Sequence, residues 1–548
     1  MKKIISVLLC VVLIFATVCS CGSNDTPSDT ASGSSNPTSS SPTSSSTDSS
    51  TPSSSTPSSS TQVSSSTSST VTIPADVVKN AYKVNFPKAT KGNIIHTNTT
   101  DYSFGPSSDF ESFDNFYIYL PEGSKIYCTD KFVIYCYDDK FALDTTLTGN
   151  CGQSLLVYSP VYTTDVRTLK GGCYVRISVM GKLSNIVINV PKDKQSKVIY
   201  GEKDDLLYAP YISEVKTNLS GKGSNVNYLF ITDIHYNGQP TSDKGRLLLK
   251  QVNAAIKVAN SVDSIDFVVI GGDTTDGNYT SKAESLKYAE AILEPFKNCK
   301  KPVLILAGNH DDNSYHYSKL DQFVDEQIVS DKDWNDRILK PISKGIVHDS
   351  KYKDSKYYYY DIKGKKTRII CLDAIDYRAQ YDSKGVIKEL PIQNASAAVE
   401  NNKYAAGNNY WGYSEAQMNW LATEAMTAPK DWDYIFVSHV GIDRQTMSNN
   451  YDTKFGSTLR GIISAYQNRQ AYSSGSISAN FASVTGKILN YHYGHTHANR
   501  TTHSKDINLW QVNTASAQFE CFDIISSSDK VVYKYPVGAG GDVVMKYN

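Results

Sequence analysis

Tyr228-Leu-Phe-Ile-Thr-Asp233-Ile-His235 is a run of apolar residues that ends in an acid and a histidine. The run reads as a buried strand, and alternation along a strand would put Asp233 and His235, two apart, on one face. A carboxylate and an imidazole side by side at a strand's carboxyl end suit a metal better than a core. Asp-x-His alone is common, so its weight comes from what recurs downstream. Ile265-Asp-Phe-Val-Val-Ile-Gly-Gly-Asp273 is a second apolar run ending in an acid, and Pro302-Val-Leu-Ile-Leu-Ala-Gly-Asn309-His310-Asp311 is a third. Tyr434-Ile-Phe-Val-Ser-His439 is a fourth, and Ile488-Leu-Asn-Tyr-His-Tyr493 leads into Gly494-His495-Thr-His497.

Between these runs the pattern alternates strand with helix. Lys244 to Asn260 carries apolar residues near helical spacing. Ser281-Lys-Ala-Glu284 reads as a capping box opening a helix toward Phe296, and Ser414-Glu-Ala-Gln417 opens another through Trp420, Leu421 and Met426. Lys356–Ile362 and Thr367–Leu372 read as a hairpin about Lys363-Gly-Lys-Lys. Open sheets of this kind place their sites in loops outside the strand carboxyl ends. Asp233, Asp273 and Asn309 supply oxygen and His235, His439, His495 and His497 supply nitrogen there, a donor set for one or two divalent metals.

In order and spacing these residues resemble the calcineurin-like metallophosphoesterase family: Asp-x-His, Gly-Asp, Gly-Asn-His-Asp, His, then Gly-His-x-His, over roughly 225–525. The resemblance implies an α/β fold, a four-layer αββα sandwich of two sheets flanked by helices. It also implies two divalent or Fe/Mn/Zn-type metal ions. By motif position, Asp233, His235 and His497 should hold one ion and Asn309, His439 and His495 the other, with Asp273 bridging. His310 matches the family's outer-sphere histidine and Asp311 the acid that orients it. Two such cations about 3.5–4 Å apart acidify a shared water and clamp a phosphate for in-line attack. The implied activity is hydrolysis of phosphate esters by a metal-bridging hydroxide, with His310 stabilising phosphoryl oxygens or protonating the leaving group.

The rest of the chain bounds the setting. Met1-Lys-Lys precedes an apolar run from Ile4 to Val18, short for a membrane span and suited to an export signal. Val18-Cys-Ser-Cys21-Gly resembles a bacterial lipoprotein processing site, which makes Cys21 the expected lipid anchor and Cys19 the fallback. Residues 22–70 are almost all Ser, Thr and Pro, with no Lys, Arg or aromatic residue, so they are expected to form a disordered linker. It serves as a tether or as a stalk for O-linked sugar. Residues 71–200 show short alternating strands, Phe116–Leu120, Lys131–Tyr137, Tyr174–Val179 and Ile186–Val190, the pattern of a small all-β sandwich whose aromatic strands could contact carbohydrate. Export permits disulfides among Cys128, Cys136, Cys151 and Cys173, in a pairing the sequence leaves open. Basic and acidic residues both number 55, with no basic block, which argues against nucleic-acid binding.

Four regions follow: 1–21 signal, 22–70 linker, 71–200 accessory sandwich and 225–548 metallophosphoesterase domain. The expected protein is a cell-surface lipoprotein or extracellular enzyme acting on a phosphate ester. A phosphodiesterase on lipid headgroups, nucleotides or wall polymers is the alternative within enzymes. An inactive surface-binding protein is the alternative outside them, against which stands the completeness of the ligand set. The polar stretch 376–411, rich in Asn and Tyr, reads either as a lid over the site or as a surface excursion.

Overall fold

Apolar runs that lacked alternation become strands buried on both faces. In the computed structural model β1 (Asn227–Ile231), β2 (Phe267–Ile270) and β3 (Val303–Ile305) are buried along their whole length. The structure describes residues 72–546 except 96–103, 114, 140, 151–165, 320–324, 377–379, 382–386, 390–391, 394–411, 443–451, 520 and 537–542. The signal, Cys21, the linker and most of 376–411 lie outside the described residues. Among the described residues no helix is long and apolar enough to cross a membrane.

The fold is mixed α/β with several sheets. Helices α1 (Lys203–Asn218), α2 (Asp243–Ser261), α3 (Lys282–Leu293), α4 (Glu415–Trp420) and α5 (Gly456–Gln467) accompany the strands. The two large sheets also contain β4 (Val347–His348), β5 (Tyr358–Ile362), β6 (Thr367–Cys371) and β7 (Asp433–Val437). They continue with β8 (Ile488–Tyr493), β9 (Arg500–Ser504), β10 (Leu509–Asn513), β11 (Cys521–Ser526), β12 (Val531–Pro536) and β13 (Val543–Lys546). One sheet runs β3-β2-β1-β11-β12-β13 and the other β4-β5-β6-β7-β8-β10-β9. Within them β1, β2 and β3 are mutually parallel, as are β6, β7, β8 and β10. Parallel strands send their carboxyl ends the same way, and every site run ends on one of them.

The two sheets share a core. Phe230, Val269 and Ile305 from the first pack in one cluster with Tyr358, Ile369, Val437 and Val512 from the second. The Tyr358 hydroxyl reaches across to donate to Ile305 O at 2.9 Å. Helices α2 and α3 cover the first sheet from this cluster, and α4 and α5 pack with residues of the second in another. The expected hairpin is present, with β5 and β6 antiparallel. Only half of the capping box at Ser281 forms: its hydroxyl accepts from Glu284 N–H, while the Glu284 carboxylate is taken by the Tyr288 hydroxyl.

Residues 72–202 form antiparallel strands in two sheets, including all four strands read from the sequence. Phe116, Tyr117, Tyr135 and Tyr137 are buried there, so these aromatics build core; Tyr119 and Tyr174 remain half-buried. Cys128, Cys136 and Cys173 are buried free thiols, which removes pairing among these three; Cys151 lies outside the described residues. Helix α1, absent from the sequence reading, splits its apolar residues between two cores. Leu206 packs with the N-terminal strands, and Tyr208 and Val215 with the core of the two large sheets. A helix with two buried faces presents no single apolar stripe, and Pro210 interrupts its pattern further.

Candidate metal centre

β1 ends at Ile231, and Asp233 and His235 follow it in the left-handed region with φ of 52° and 49°. Strand alternation is therefore not what aligns them, a correction to the sequence reading. The chain turns at each residue, and so does the β2 loop at Asp273 (φ 49°). Left-handed backbone is strained for residues with a Cβ, and here hydrogen bonds over-determine it. Asp233 N–H donates to Gly272 O at 3.0 Å and His235 N–H to Asp273 O at 2.9 Å, so the two loops continue the ladder of their strands. His495 (φ 66°) and His497 (φ 50°) after β8 share the conformation. Gly308 is required by a close approach: a Cβ there would collide with the backbone and carboxylate of Asp273.

All seven ligand-type residues come together. His497 Nε2 lies 3.2 Å from Asp233 Oδ1 and 3.1 Å from His235 Nε2. Asp273 Oδ2 is the hub, 3.1 Å from His439 Nε2 and 3.7 Å from His235 Nε2. Asn309 Oδ1 sits 3.1 Å from His439 Nε2 and 2.9 Å from His495 Nδ1. Asp233, His235 and His497 form one group whose ligand atoms lie within 4.8 Å of one another, and Asp273, His439 and His495 form another. Ring nitrogens and carboxylate oxygens converging on so small a space are a mixed donor set that suits divalent cations.

Supporting contacts fix each side chain. His439 Nδ1 is 2.8 Å from Gly271 O, which directs its Nε2 into the cluster. The Thr232 hydroxyl donates to Asp233 Oδ2 at 2.9 Å, and His495 N–H donates to the same carboxylate. His310 sits at the edge, its Nε2 4.0 Å from Asp273 Oδ2 and its Nδ1 2.7 Å from Asp276 O. The Asp311 carboxylate does not reach the His310 ring. It accepts from Thr274, Thr275 and Gly308 N–H at 2.9, 3.2 and 2.8 Å, tying the β2 and β3 loops together. The expectation that Asp311 orients His310 is therefore replaced: its carboxylate is consumed by backbone donors, and the orienting acceptor is the carbonyl of Asp276.

Electrostatics point the same way. Burial alone would raise the Asp273 pKa, but the charges of His439 and His310 hold it well below the usual carboxylate range. Burial depresses His439 too, yet Asp273 beside it lifts its pKa to about 9. Burial pushes His235 and His495 down to about 3, so both rings stay neutral. Asp311 rises to about 7 through burial and the neighbouring Asp273 charge.

The sequence reading missed Asp276, whose carboxylate also lies 3.6 Å from His235 Nδ1 and 3.3 Å from Lys244 Nζ. Its only sequence signal is its place three residues after Asp273, inside the same loop.

A model of the family described as Calcineurin-like phosphoesterase matches residues 226–452, which contain Asp233 through His439. The chain carries a calcineurin-like phosphoesterase domain and is a hydrolase acting on phosphoric ester bonds. His495 and His497 fall beyond the matched stretch and join the site through β8. No curated protein matches the chain. Among solved structures it is similar to a dimetal phosphatase from Danio rerio at 14% identity and TM-score 0.40, over 59% of this chain and 99% of that one. It is also similar to a Thermus thermophilus protein (10%, TM-score 0.30, 57% and 99%). A third likeness is to phosphopantetheinyl hydrolase from Mycobacterium tuberculosis (13%, TM-score 0.27, 54% and 92%).

Proposed function

We propose that this chain is an exported, membrane-tethered phosphoesterase that hydrolyses a phosphate ester at a two-metal site. The observation that carries the reading is the convergence of seven ligand-type side chains from five strand ends, with Asp273 Oδ2 3.1 Å from His439 Nε2 and 3.7 Å from His235 Nε2. In this reading Asp233, His235 and His497 would hold one cation and Asn309, His439 and His495 the other, with Asp273 placed to serve both. Such a pair of cations supplies an activated water and a clamp on the phosphoryl oxygens.

The chain's own residues do the rest. The Asp276 carbonyl accepts the Nδ1 proton of His310 and so leaves Nε2 to face the phosphate. A protonated Nε2 there stabilises phosphoryl oxygen or gives its proton to the leaving alkoxide. Asp311 keeps the two loops in register, a positioning role.

The same proposal takes the two large sheets as the inner layers of an αββα sandwich, supported by their shared core and by the helices in the flanking clusters. It takes 71–200 as an accessory sandwich, in which half-buried aromatics such as Tyr119 and Tyr174 are the ones left to contact carbohydrate. Export and anchoring rest on the leader and Cys21. The deciding experiment loads the full chain with Mn, Fe or Zn and assays a panel of phosphomonoesters and phosphodiesters. Metal-dependent turnover of one class supports the proposal and fixes the substrate type. No turnover of any ester with metal bound would leave the surface-binding alternative in its place.

A further inference from the structure

Three contacts surround the His310 ring. Its Nδ1 is 2.7 Å from Asp276 O, the His235 ring meets it at 4.8 Å with 82° between planes, and the Tyr315 ring meets it at 4.8 Å and 62°. The contact at Nδ1 fixes one atom. The terminal torsion of a histidine is broad, so a ring held at one nitrogen can still turn about that contact and carry Nε2 away. His439 shows the contrast. It makes the same kind of carbonyl contact, but its side chain is 0% exposed and has no room to turn. The His310 side chain is 19% exposed, so packing does not enclose it. What stands against its ring must set where Nε2 points.

Tyr315 is suited to that task because the backbone on either side of it is pinned. Ser314 N–H donates to Asp312 Oδ1 at 2.8 Å and His316 N–H to Gly277 O at 3.1 Å. Just before them the Asn313 side chain bonds both the N–H and the carbonyl of Tyr279, each at 3.1 Å. Gly277 (φ 60°) lies where a Cβ would collide with the main chain of His310. One loop, 276–279, thus supplies the acceptor for His310 and anchors the start of the short helix Ser314–Lys319 that carries Tyr315. An edge-to-face pair of rings at this separation is attractive, and here both partners are built on the same rigid support.

We propose that Tyr315 is a positioning residue for His310: its ring, set against the imidazole, keeps Nε2 aimed at the phosphate. This role rests on the two-metal reading above, in which His310 acts through Nε2. Tyr315 itself touches neither phosphate nor cation and works through His310 alone.

The test is a double-mutant cycle on the metal-loaded full chain, with crystal structures of the variants as a readout that needs no turnover. Rates are measured on two esters, one with an aryl and one with an alkyl leaving group. Tyr315→Ala lowers kcat roughly tenfold, the upper worth of one aromatic contact, with metal content and circular dichroism unchanged. Its loss divides between the two esters in the same proportion as the loss in His310→Asn. In the His310→Asn background Tyr315→Ala costs no more than about twofold, since its effect runs through a ring already gone. Tyr315→Phe, which keeps the ring, recovers most of the loss. In crystals of Tyr315→Ala the His310 imidazole takes more than one orientation. Should Tyr315→Ala melt early, Tyr315→Leu fills the volume without the ring and carries the same comparison.

A positioning role is overturned if the losses in Tyr315→Ala and His310→Asn multiply in the double variant. It is overturned equally if Tyr315→Ala raises KM with kcat unchanged, which would make Tyr315 a substrate contact, or if the His310 imidazole keeps its single orientation in Tyr315→Ala. No metal-dependent turnover of any ester, or His310→Asn at the wild-type rate, would strike the reading of the site instead. The crystal structure of Tyr315→Ala would then still decide whether Tyr315 holds the ring.

Discussion

His492 and His495 stand three residues apart, His492 fully buried inside β8 and His495 half-buried just past it. Their surroundings differ in kind. His492 stacks on Phe230 at 3.8 Å, with Nδ1 3.0 Å from the Tyr228 hydroxyl and Nε2 2.7 Å from the Thr514 hydroxyl. The Thr514 hydroxyl donates to Asp523 Oδ2 at 2.6 Å, and Asp523 faces Lys534 at 3.9 Å. Both nitrogens of the His492 ring meet hydroxyls there, and the network pins one sheet to the other. His495 instead aims Nδ1 at Asn309 Oδ1 beside His439 and Asp273, where acceptors and ring nitrogens crowd together. Burial alone does not mark a histidine as structural, since His439 in the cluster is as buried as His492. The nature of the atoms it faces does.

The largest expected effect comes from removing the hub. Asp273→Asn should lower activity by roughly 10³-fold or more and shed at least one metal while its circular dichroism stays native. Wild-type metal content and turnover in that variant would break the contrast drawn above. His310→Asn comes next: kcat should fall by roughly 10²–10⁴ with metal content unchanged. Loss of metal in step with activity would make His310 a ligand.

A proton on His439 competes with metal. Because Asp273 holds its pKa near about 9, each binding event below that pH displaces a proton, and apparent metal affinity should climb about tenfold per pH unit until then. A flat affinity from pH 6 to 8, by competition with a chelating dye, would contradict this.

The smallest effect is on stability and concerns the other histidine. Burial, and then the charge of Lys534, keeps the His492 pKa well below its ordinary value. Its contribution to stability is therefore complete above the unfolded value of about 6.5 and is lost as pH falls below it. His492→Phe should cost about 1–3 kcal/mol at neutral pH and flatten the acid limb of a denaturation series, with metal stoichiometry unchanged. An unaltered acid limb would show that His492 does not titrate with unfolding.

What was legible in the sequence was whatever side chains encode. Continuous apolar runs marked β1, β2, β3 and β7, and the residues ending them marked the site. Asp233 and His235 were paired for the wrong reason, since left-handed turns rather than strand alternation aim them. The partner of His310 was legible only as a guess at Asp311, because the true acceptor is a main-chain carbonyl, which every residue has. Helix α1 was hidden because its two faces answer to two cores.

The central claim is that two cations sit between these strand ends, and anomalous diffraction from manganese-loaded crystals tests it most directly. The account predicts two peaks, one among Asp233, His235 and His497 and one among Asn309, His439 and His495, with Asp273 touching both. A single peak, or peaks away from these residues, would contradict it.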